Sequence, residues 1–210
     1  NFSFIGVPPG GSFGNSWFVT VAVFQMTDKG LEAVLNPSDL FISRKRSESP
    51  GVVVVPILQG TRCILTELQV LVTQSFLTMP RRIVSGIDSN RLNLVIAVLE
   101  KHAGMKFYNR DVFSNVAGGL KLSEPGGDLG LAMALAGSLN DRAIPIDMLV
   151  IGEVTLAGEI RPVGNLSRRI TEGKRFGFKR FLISDSAEVS GKDGIIKVGN
   201  IREAVKAVFG

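Results

Sequence analysis

The stretch KLSEPGGDLGLAMALAGSL, Lys121 to Leu139, decides how this chain is read. A Pro-Gly-Gly-Asp turn runs into a helical segment carrying Leu129, Leu131, Ala132, Met133, Ala134, Leu135, Ala136 and Leu139. A helix that is apolar nearly all round belongs at the centre of a domain. Its mouth is the kind of entrance where an enzyme holds a nucleophile. Yet no Ser, Cys or Thr stands on the turn itself.

Strand and helix signals extend outward from that helix. VVVVPILQGTRCILTELQVLV, Val52 to Val72, reads as a hairpin around Gln59-Gly60-Thr61, with a second arm that alternates residue by residue. PRRIVSGID is a strand. Ser89 is expected to cap a helix to about His102, where Leu92, Val95, Ile96 and Leu99 form one apolar stripe and Gly104 ends it. RDVFSNVAGGLKL leads as a strand into the opening turn. DMLVIGEV is expected as one strand, with LAGEIRPV as a second arm after a tight turn. A helix from Leu166 to about Phe176, strands at RFLIS and GIIKVG, and a helix from Ile201 to Phe209 complete the chain. Upstream, Trp17 to Met26 reads as a buried strand, and Ser38 or Asp39 starts a short helical turn after Asn36-Pro37. Residues 1–16, rich in Gly, Pro and Ser, are expected to be a linker or loop. Residues 17–210 then form one domain, β-rich over 17–88 and mixed over 89–210. Hairpins first and mixed elements afterwards predict an α+β fold of short-strand sheets around a buried helix.

The 210 residues are 45% hydrophobic and 20% charged, an ordinary globular composition. No run of apolar residues approaches the length of a membrane span, and NFSFIGVPPGGSFGNSW lacks the basic start and apolar core of a signal peptide. The chain begins without Met and is read as a piece of a longer protein. Its one Cys, Cys63, allows no internal disulfide, and one His beside one Cys makes a poor zinc site. Net charge is +5, and the cations recur in groups: Arg44-Lys45-Arg46, Arg81-Arg82, Arg168-Arg169, Lys174-Arg175 and Lys179-Arg180. Such groups suit phosphate contacts, and equally a solvated surface.

No G-x-x-x-x-G-K-[ST] loop, HExxH or GxSxG occurs, so nucleotide hydrolysis, zinc peptidase and hydrolase readings fall away. His102, the single histidine, lies at a helix end and reads as a surface residue. A Ser–Lys dyad is the remaining catalytic possibility, because a Lys can serve as base to a Ser nucleophile. Lys121 and Ser123 lie two apart near the turn. Ser167 and Lys174 are seven apart on one helix face, too far to bond.

EPGGDLGLAMALAGSLNDRAIP followed by GEVTLAGEIRPVGNLSRRITEGKRFGFKRFLIS closely resembles the proteolytic domain of Lon proteases. It is more similar still to the Lon-like C-terminal domain of the RadA (Sms) family of bacterial DNA-repair proteins. VFQMTDKGLEAVLNPSDLFIS, PGVVVVPILQGTRCILTELQVLV, PRRIVSGIDSNRLNLVIAVLEKHAG and DVFSNVAGGLKLSEP match that family in order, from about Val23 to the C-terminus. In Lon proteases the turn reads Pro-Ser-Ala-Gly with Ser as nucleophile, and the base Lys follows Gly-Gly-Leu. Laid on those signatures, Gly126 takes the place of the Ser and Ser167 the place of the Lys. The resemblance therefore implies a Lon-like fold without a dyad.

It also implies a role. RadA-family proteins carry a zinc segment and a RecA-like ATPase ahead of this domain, so ATP, Mg and zinc are expected only in such upstream parts, with no cofactor in this chain. Expected partners are double-stranded or branched DNA and further copies in a ring, a hexamer by resemblance, with no membrane. Candidate phosphate contacts are Arg44, Lys45, Arg46, Arg81, Arg82, Arg168, Arg169, Lys174, Arg175, Lys179 and Arg180. A purely structural oligomerisation scaffold is the alternative, and residual serine peptidase activity a remote one. The setting is cytoplasmic for a bacterial source, and plastid or mitochondrial for a eukaryotic one. The family's Lys-Asn-Arg-Phe-Gly motif is matched only by Phe13-Gly14 within Gly10–Gly14.

Overall fold

The computed structural model of the chain describes residues 2–7, 20–27, 30–33, 38–42, 48–60 and 62–210. β1 (Phe2–Val7), β2 (Thr20–Thr27) and β3 (Gly30–Ala33) form an antiparallel sheet in that order. The linker reading of 1–16 is corrected for its first part, since β1 pairs with β2 from Phe2–Gln25 to Val7–Thr20. FSFIGV is aromatic and branched, which suits a strand. The prolines and most of the glycines behind the loop reading lie at 8–14, outside the described residues. Gly10–Gly14, Trp17, Asn36-Pro37 and the Arg44-Lys45-Arg46 group lie outside them as well. The expected short helical turn is α1 (Ser38–Phe41).

The hairpin is β4 (Val52–Gln59) with β5 (Arg62–Gln74), paired from Gln59–Arg62 to Val52–Gln69. β6 (Arg82–Ser85) leads into α2 (Ser89–Ala103). The cap of α2 is Asp88, not Ser89: its carboxylate accepts the Arg91 amide at 3.0 Å, the bond that a residue before the first turn is placed to make. Leu92, Val95, Ile96 and Leu99 are buried as their spacing predicts. Gly104 closes the helix at φ 70°, a left-handed conformation that suits glycine. β7 (Arg110–Val116) follows, and then α3 (Asp128–Leu139).

The expected DMLVIGEV strand is two. β8 (Met148–Val150) joins the main sheet, whereas β9 (Glu153–Val154) pairs with β10 (Ile160–Arg161) in a separate ribbon. Between them the backbone turns toward the mouth of α3. Gly152 donates to the Gly126 carbonyl at 3.1 Å and accepts from the Leu129 amide at 3.0 Å. α4 (Leu166–Arg175), β11 (Arg180–Ser184), β12 (Ile195–Val198) and α5 (Ile201–Phe209) complete the chain.

Seven strands form one mixed sheet in the order β12-β11-β8-β4-β5-β7-β6. It takes strands from both sides of residue 88, so the β-rich and mixed parts share one core from β4 onward. Alternation sends Val53, Val55 and Ile57 to a face covered by α2, α3 and α5, and Val54 to the face covered by α4. α3 is the centre of the first layer, with Asp128 to Gly137 buried without a break. Burying each such leucine is worth about 1.5–3 kcal/mol. Gly130 lets α3 lie against β4, since a Cβ there would stand 2.2 Å from Val55 Cγ1. Among the described residues no helix is long and apolar enough to cross a membrane.

Candidate functional site

Pro125, Gly126 and Gly127 form a 3-10 turn that feeds directly into α3. The residue before it, Glu124, faces α4. Its carboxylate accepts the Leu58 amide at 2.7 Å and the two terminal nitrogens of Arg169 at 2.9 and 2.5 Å. Arg169 also donates to the Pro56 carbonyl at 2.7 Å and, through Nε, to the Gly164 carbonyl at 3.1 Å. Only 1% of Arg169 is exposed. A buried guanidinium is tolerable here because its charge meets a carboxylate and its donors meet carbonyls.

That guanidinium fills the space beside the turn. A Cβ on Gly126 would lie 3.1 Å from Arg169 Nη1 and 3.4 Å from its Cζ. The side chain that reaches the former nucleophile position is therefore Arg169. Ser167, two residues earlier, is exposed on the first turn of α4, and its carbonyl accepts from Thr171. Arginine cannot replace lysine as a base, because guanidinium does not lose its proton in proteins. Lys121 and Ser123 are exposed beside a 410 Å³ depression lined by Gly86, Ile87 and Asp88. No hydrogen bond joins them among the described residues. Burial pushes the Cys63 thiol up to about 12, so it is a packed thiol and not a thiolate.

The remaining predicted cations divide between two regions. Arg81 holds Asp111 through Nε and Nη2 at 3.1 and 2.8 Å and lies over the Phe113 ring. Hydrogen bonds from the Arg81 backbone and side chain keep the Asp111 carboxyl below its usual range. Arg82 donates to the carbonyls of Arg81, Arg110 and Phe107, and burial lowers its pKa. On and after α4, Arg168, Lys174, Arg175 and Lys179 are exposed. Arg175 lies 3.8 Å from Glu172 and over Phe176. Arg180 grips Asp147 and holds that carboxyl low. β6 and β11 are five strand spacings apart, roughly 24 Å, so the groups form no single surface. Arg169, 1% exposed and bonded to Glu124, Pro56 and Gly164, does not reach the surface and is removed from the phosphate-contact set.

Sequence reasoning missed a further cationic cluster. Lys101 and His102 at the end of α2 meet Arg202 and Lys206 of α5 around an open 430 Å³ cavity. Arg202 donates to the His102 carbonyl at 3.3 Å, and His102 Nε2 bonds the Leu156 carbonyl at 3.0 Å. Glu203, the one acid there, is engaged as a cap, accepting from Gly199 and Asn200 at 2.8 Å each. Arg142 stands over Phe209 at the far end of α5. These cations are scattered in sequence. The one readable signal is the four-residue spacing of Arg202 and Lys206, which puts them on one helix face.

On the other side of α3's entrance lies a 390 Å³ groove between α2 and the β9–β10 ribbon. Asp128 is buried at its base and bonded to Arg91 at 2.6 Å. Burial raises the Asp128 carboxyl to about 6, against the pull of Arg91.

The Lon protease (S16) C-terminal proteolytic domain family matches residues 96–206, and the chain belongs to that family. Within it, the chain is similar to proteins named DNA repair protein RadA. That of Aquifex aeolicus is 47% identical over 191 residues, covering 90% of this chain and 43% of the relative. That of Pseudomonas aeruginosa is 43% identical over 192 residues, 90% and 42% of the two chains. That of Escherichia coli is 45% identical over 163 residues, 78% and 35%. The α+β fold and the resemblance to the RadA Lon-like domain are both borne out. The chain spans about two-fifths of the length of the first two relatives.

Proposed function

We propose that this chain is the DNA-contacting and subunit-assembling domain of a RadA-like repair protein, with no peptidase activity of its own. The observation that carries DNA contact is the convergence of Lys101, Arg202 and Lys206 on one open cavity whose acid is already engaged. Cations presented without an acidic partner suit the phosphate backbone, which is met without regard to base sequence. Arg168, Lys174, Arg175 and Lys179 form a second contact region around α4. Arg180, held by Asp147, contributes charge at its margin, whereas Arg81 and Arg82 are held by neighbours at the far edge of the sheet.

The absence of peptidase activity rests on Gly126, on exposed Ser167, and on the Glu124–Arg169 pair that lies against Gly126. ATP hydrolysis, and the Mg and zinc that go with the family's other parts, belong to segments outside this chain. The bacterial relatives support a cytoplasmic setting.

Fluorescence anisotropy of a labelled duplex, titrated at low and physiological salt, tests the reading. Binding that weakens steeply with salt is expected. No binding at low salt would leave the scaffold alternative and place DNA contact elsewhere in the protein.

A further inference from the structure

Two loops meet where β5 leaves the main sheet and β7 enters it. The last pair of their antiparallel ladder is Gln74–Arg110. One step beyond it, the Ser75 amide still donates to the Asn109 carbonyl at 2.9 Å. Phe76 and Tyr108 are the next residues outward on the two chains, so the same register sets one aromatic side chain against the other. Phe76 is 94% exposed and Tyr108 70%. The backbone that presents them is anchored. Ser75 and Phe107, the residues just before each ring, are buried, and the Arg110 amide closes the Tyr108 turn on the Phe107 carbonyl at 3.1 Å. Two large rings held in water side by side mark a surface that binds something.

The cations around the rings are in no ion pair. Arg82 donates to carbonyls only, those of Arg81, Arg110 and Phe107, the last at the peptide bond that precedes Tyr108. Register sets Arg82 opposite Val112, and alternation along β7 returns Arg110 to that same face. The Arg110 Nε is buried without a hydrogen-bond partner. Lys106 is exposed two residues before Tyr108. Among the described residues none of these three cations lies within ion-pair distance of a carboxylate. The two acids whose charge reaches Arg82 are bonded elsewhere, Asp111 to Arg81 and Glu100 to the Phe107 amide at 2.9 Å.

Rings and cations in this arrangement answer the two parts of one ligand. An exposed aromatic side chain stacks on a nucleobase whatever the base, and a cation beside it meets the phosphate that joins one nucleotide to the next. Inside a duplex the base faces are covered by their neighbours, so the rings have nothing to stack on. An apolar protein partner would cover the rings and leave the cations without countercharge. We propose that the Phe76–Tyr108 end of the sheet is a binding site for unpaired nucleotides, with bases stacked on the two rings and phosphates met by Lys106, Arg110 and Arg82. This site is separate from the Lys101–Arg202–Lys206 cavity and does not rest on the duplex contact assigned there.

Anisotropy with labelled oligothymidylate, which forms no duplex, and with an abasic deoxyribose-phosphate oligomer of equal length tests this on three proteins: the unaltered chain, Phe76→Ala/Tyr108→Ala and Phe76→Tyr/Tyr108→Phe. Both altered positions are exposed, so melting temperatures should stay near that of the unaltered chain. The unaltered chain should bind oligothymidylate more tightly than the abasic oligomer. The alanine variant should lose about tenfold or more in oligothymidylate affinity, on the order of one or two stacked bases. Its salt slope should not change, because no charge is removed. It should bind the abasic oligomer and a duplex as the unaltered chain does, and the variant that keeps both rings should match the unaltered chain throughout. Oligouridylate run beside oligothymidylate identifies the sugar that the site prefers, and loss of the rings should weaken both. An unaltered chain that ignores oligothymidylate at low salt, or an alanine variant that binds it equally well, would overturn the site. An equal loss on the abasic oligomer or the duplex would overturn it too, since stacking on unpaired bases cannot act there. A chain that fails on duplex but binds oligothymidylate through the rings would contradict the duplex reading above and leave this site standing.

Discussion

Arg169 and Arg202 sit near the starts of two short helices, and the molecule uses them in opposite ways. Arg169 is turned inward beside Gly126 and bonded to Glu124, Pro56 and Gly164. Arg202 is turned outward with Lys206 and Lys101 around an open cavity, its neighbouring acid already bonded elsewhere. A cation holds a fold together when its donors are satisfied by its own chain. It is available to a ligand when they are not. The entrance to α3 thus carries a structural ion pair beside Gly126, while the exposed charge lies elsewhere.

The largest expected effect breaks the inward half of that comparison. Arg169→Ala leaves Glu124 facing a cavity without its countercharge and should cost about 3–5 kcal/mol in denaturant unfolding. Adding Glu124→Ala should recover part of the loss, as a coupled pair requires. A loss as small as that of a surface arginine would show that the pair does not hold α4 to the turn.

Next in size is the groove carboxylate. Asp128 has its folded-state pKa raised to about 6 from 3.8, so the folded protein binds its proton more readily than the unfolded chain. Its contribution therefore favours folding at low pH and is lost as pH rises from about 4 to 6, on the order of 2–3 kcal/mol. Asp111 and Asp147, with lowered pKa values, act in the opposite sense, and their stabilisation is lost as pH falls below the usual carboxylate range. Subtracting the stability curve of Asp128→Asn from that of the unaltered chain isolates the Asp128 part. A difference that does not slope between pH 4 and 6 would contradict its burial in the ionised form.

The outward half is tested by Arg202→Ala/Lys206→Ala. Stability should change by no more than about 0.5 kcal/mol, since both side chains are exposed. Duplex affinity should fall, and the logarithmic salt slope should lose about one unit per lost phosphate contact. Arg168→Ala/Lys174→Ala asks the same of α4. The smallest expected effect is none at all: Gly126→Ser/Ser167→Lys should remain inert toward casein, because Arg169 stands beside the new serine. Cleavage that survives removal of contaminating proteases would contradict that geometry.

The elements that the sequence makes legible are those whose signal is local. The all-apolar run of α3, the stripe of α2 and the two-residue hairpin each state their structure within a dozen residues. Two errors came from neighbours far along the chain. DMLVIGEV reads as one strand, but Gly152 is drawn to Gly126 and splits it. The Arg168-Arg169 pair reads as surface charge, although Arg169 shares the Leu166, Ile170 and Gly173 face that α4 buries. Positions 166, 169, 170 and 173 share one face at helical spacing, and Arg168 lies off it. In the Lys101–Arg202–Lys206 cluster only the spacing of Arg202 and Lys206 is local, and Lys101 joins them through the packing of α2 against α5, a hundred positions away. Family likeness reached Gly126 and Ser167 directly, but not the Arg169 side chain that packs against Gly126.

The most direct test of the account is duplex anisotropy on three proteins side by side: the unaltered chain, Arg202→Ala/Lys206→Ala and Arg168→Ala/Lys174→Ala. The account predicts salt-sensitive binding by the first, and a weaker, flatter salt dependence when the α5 cations are removed. An unaltered chain that fails to bind at low salt, or an α5 variant with the same affinity and slope as its parent, would contradict it.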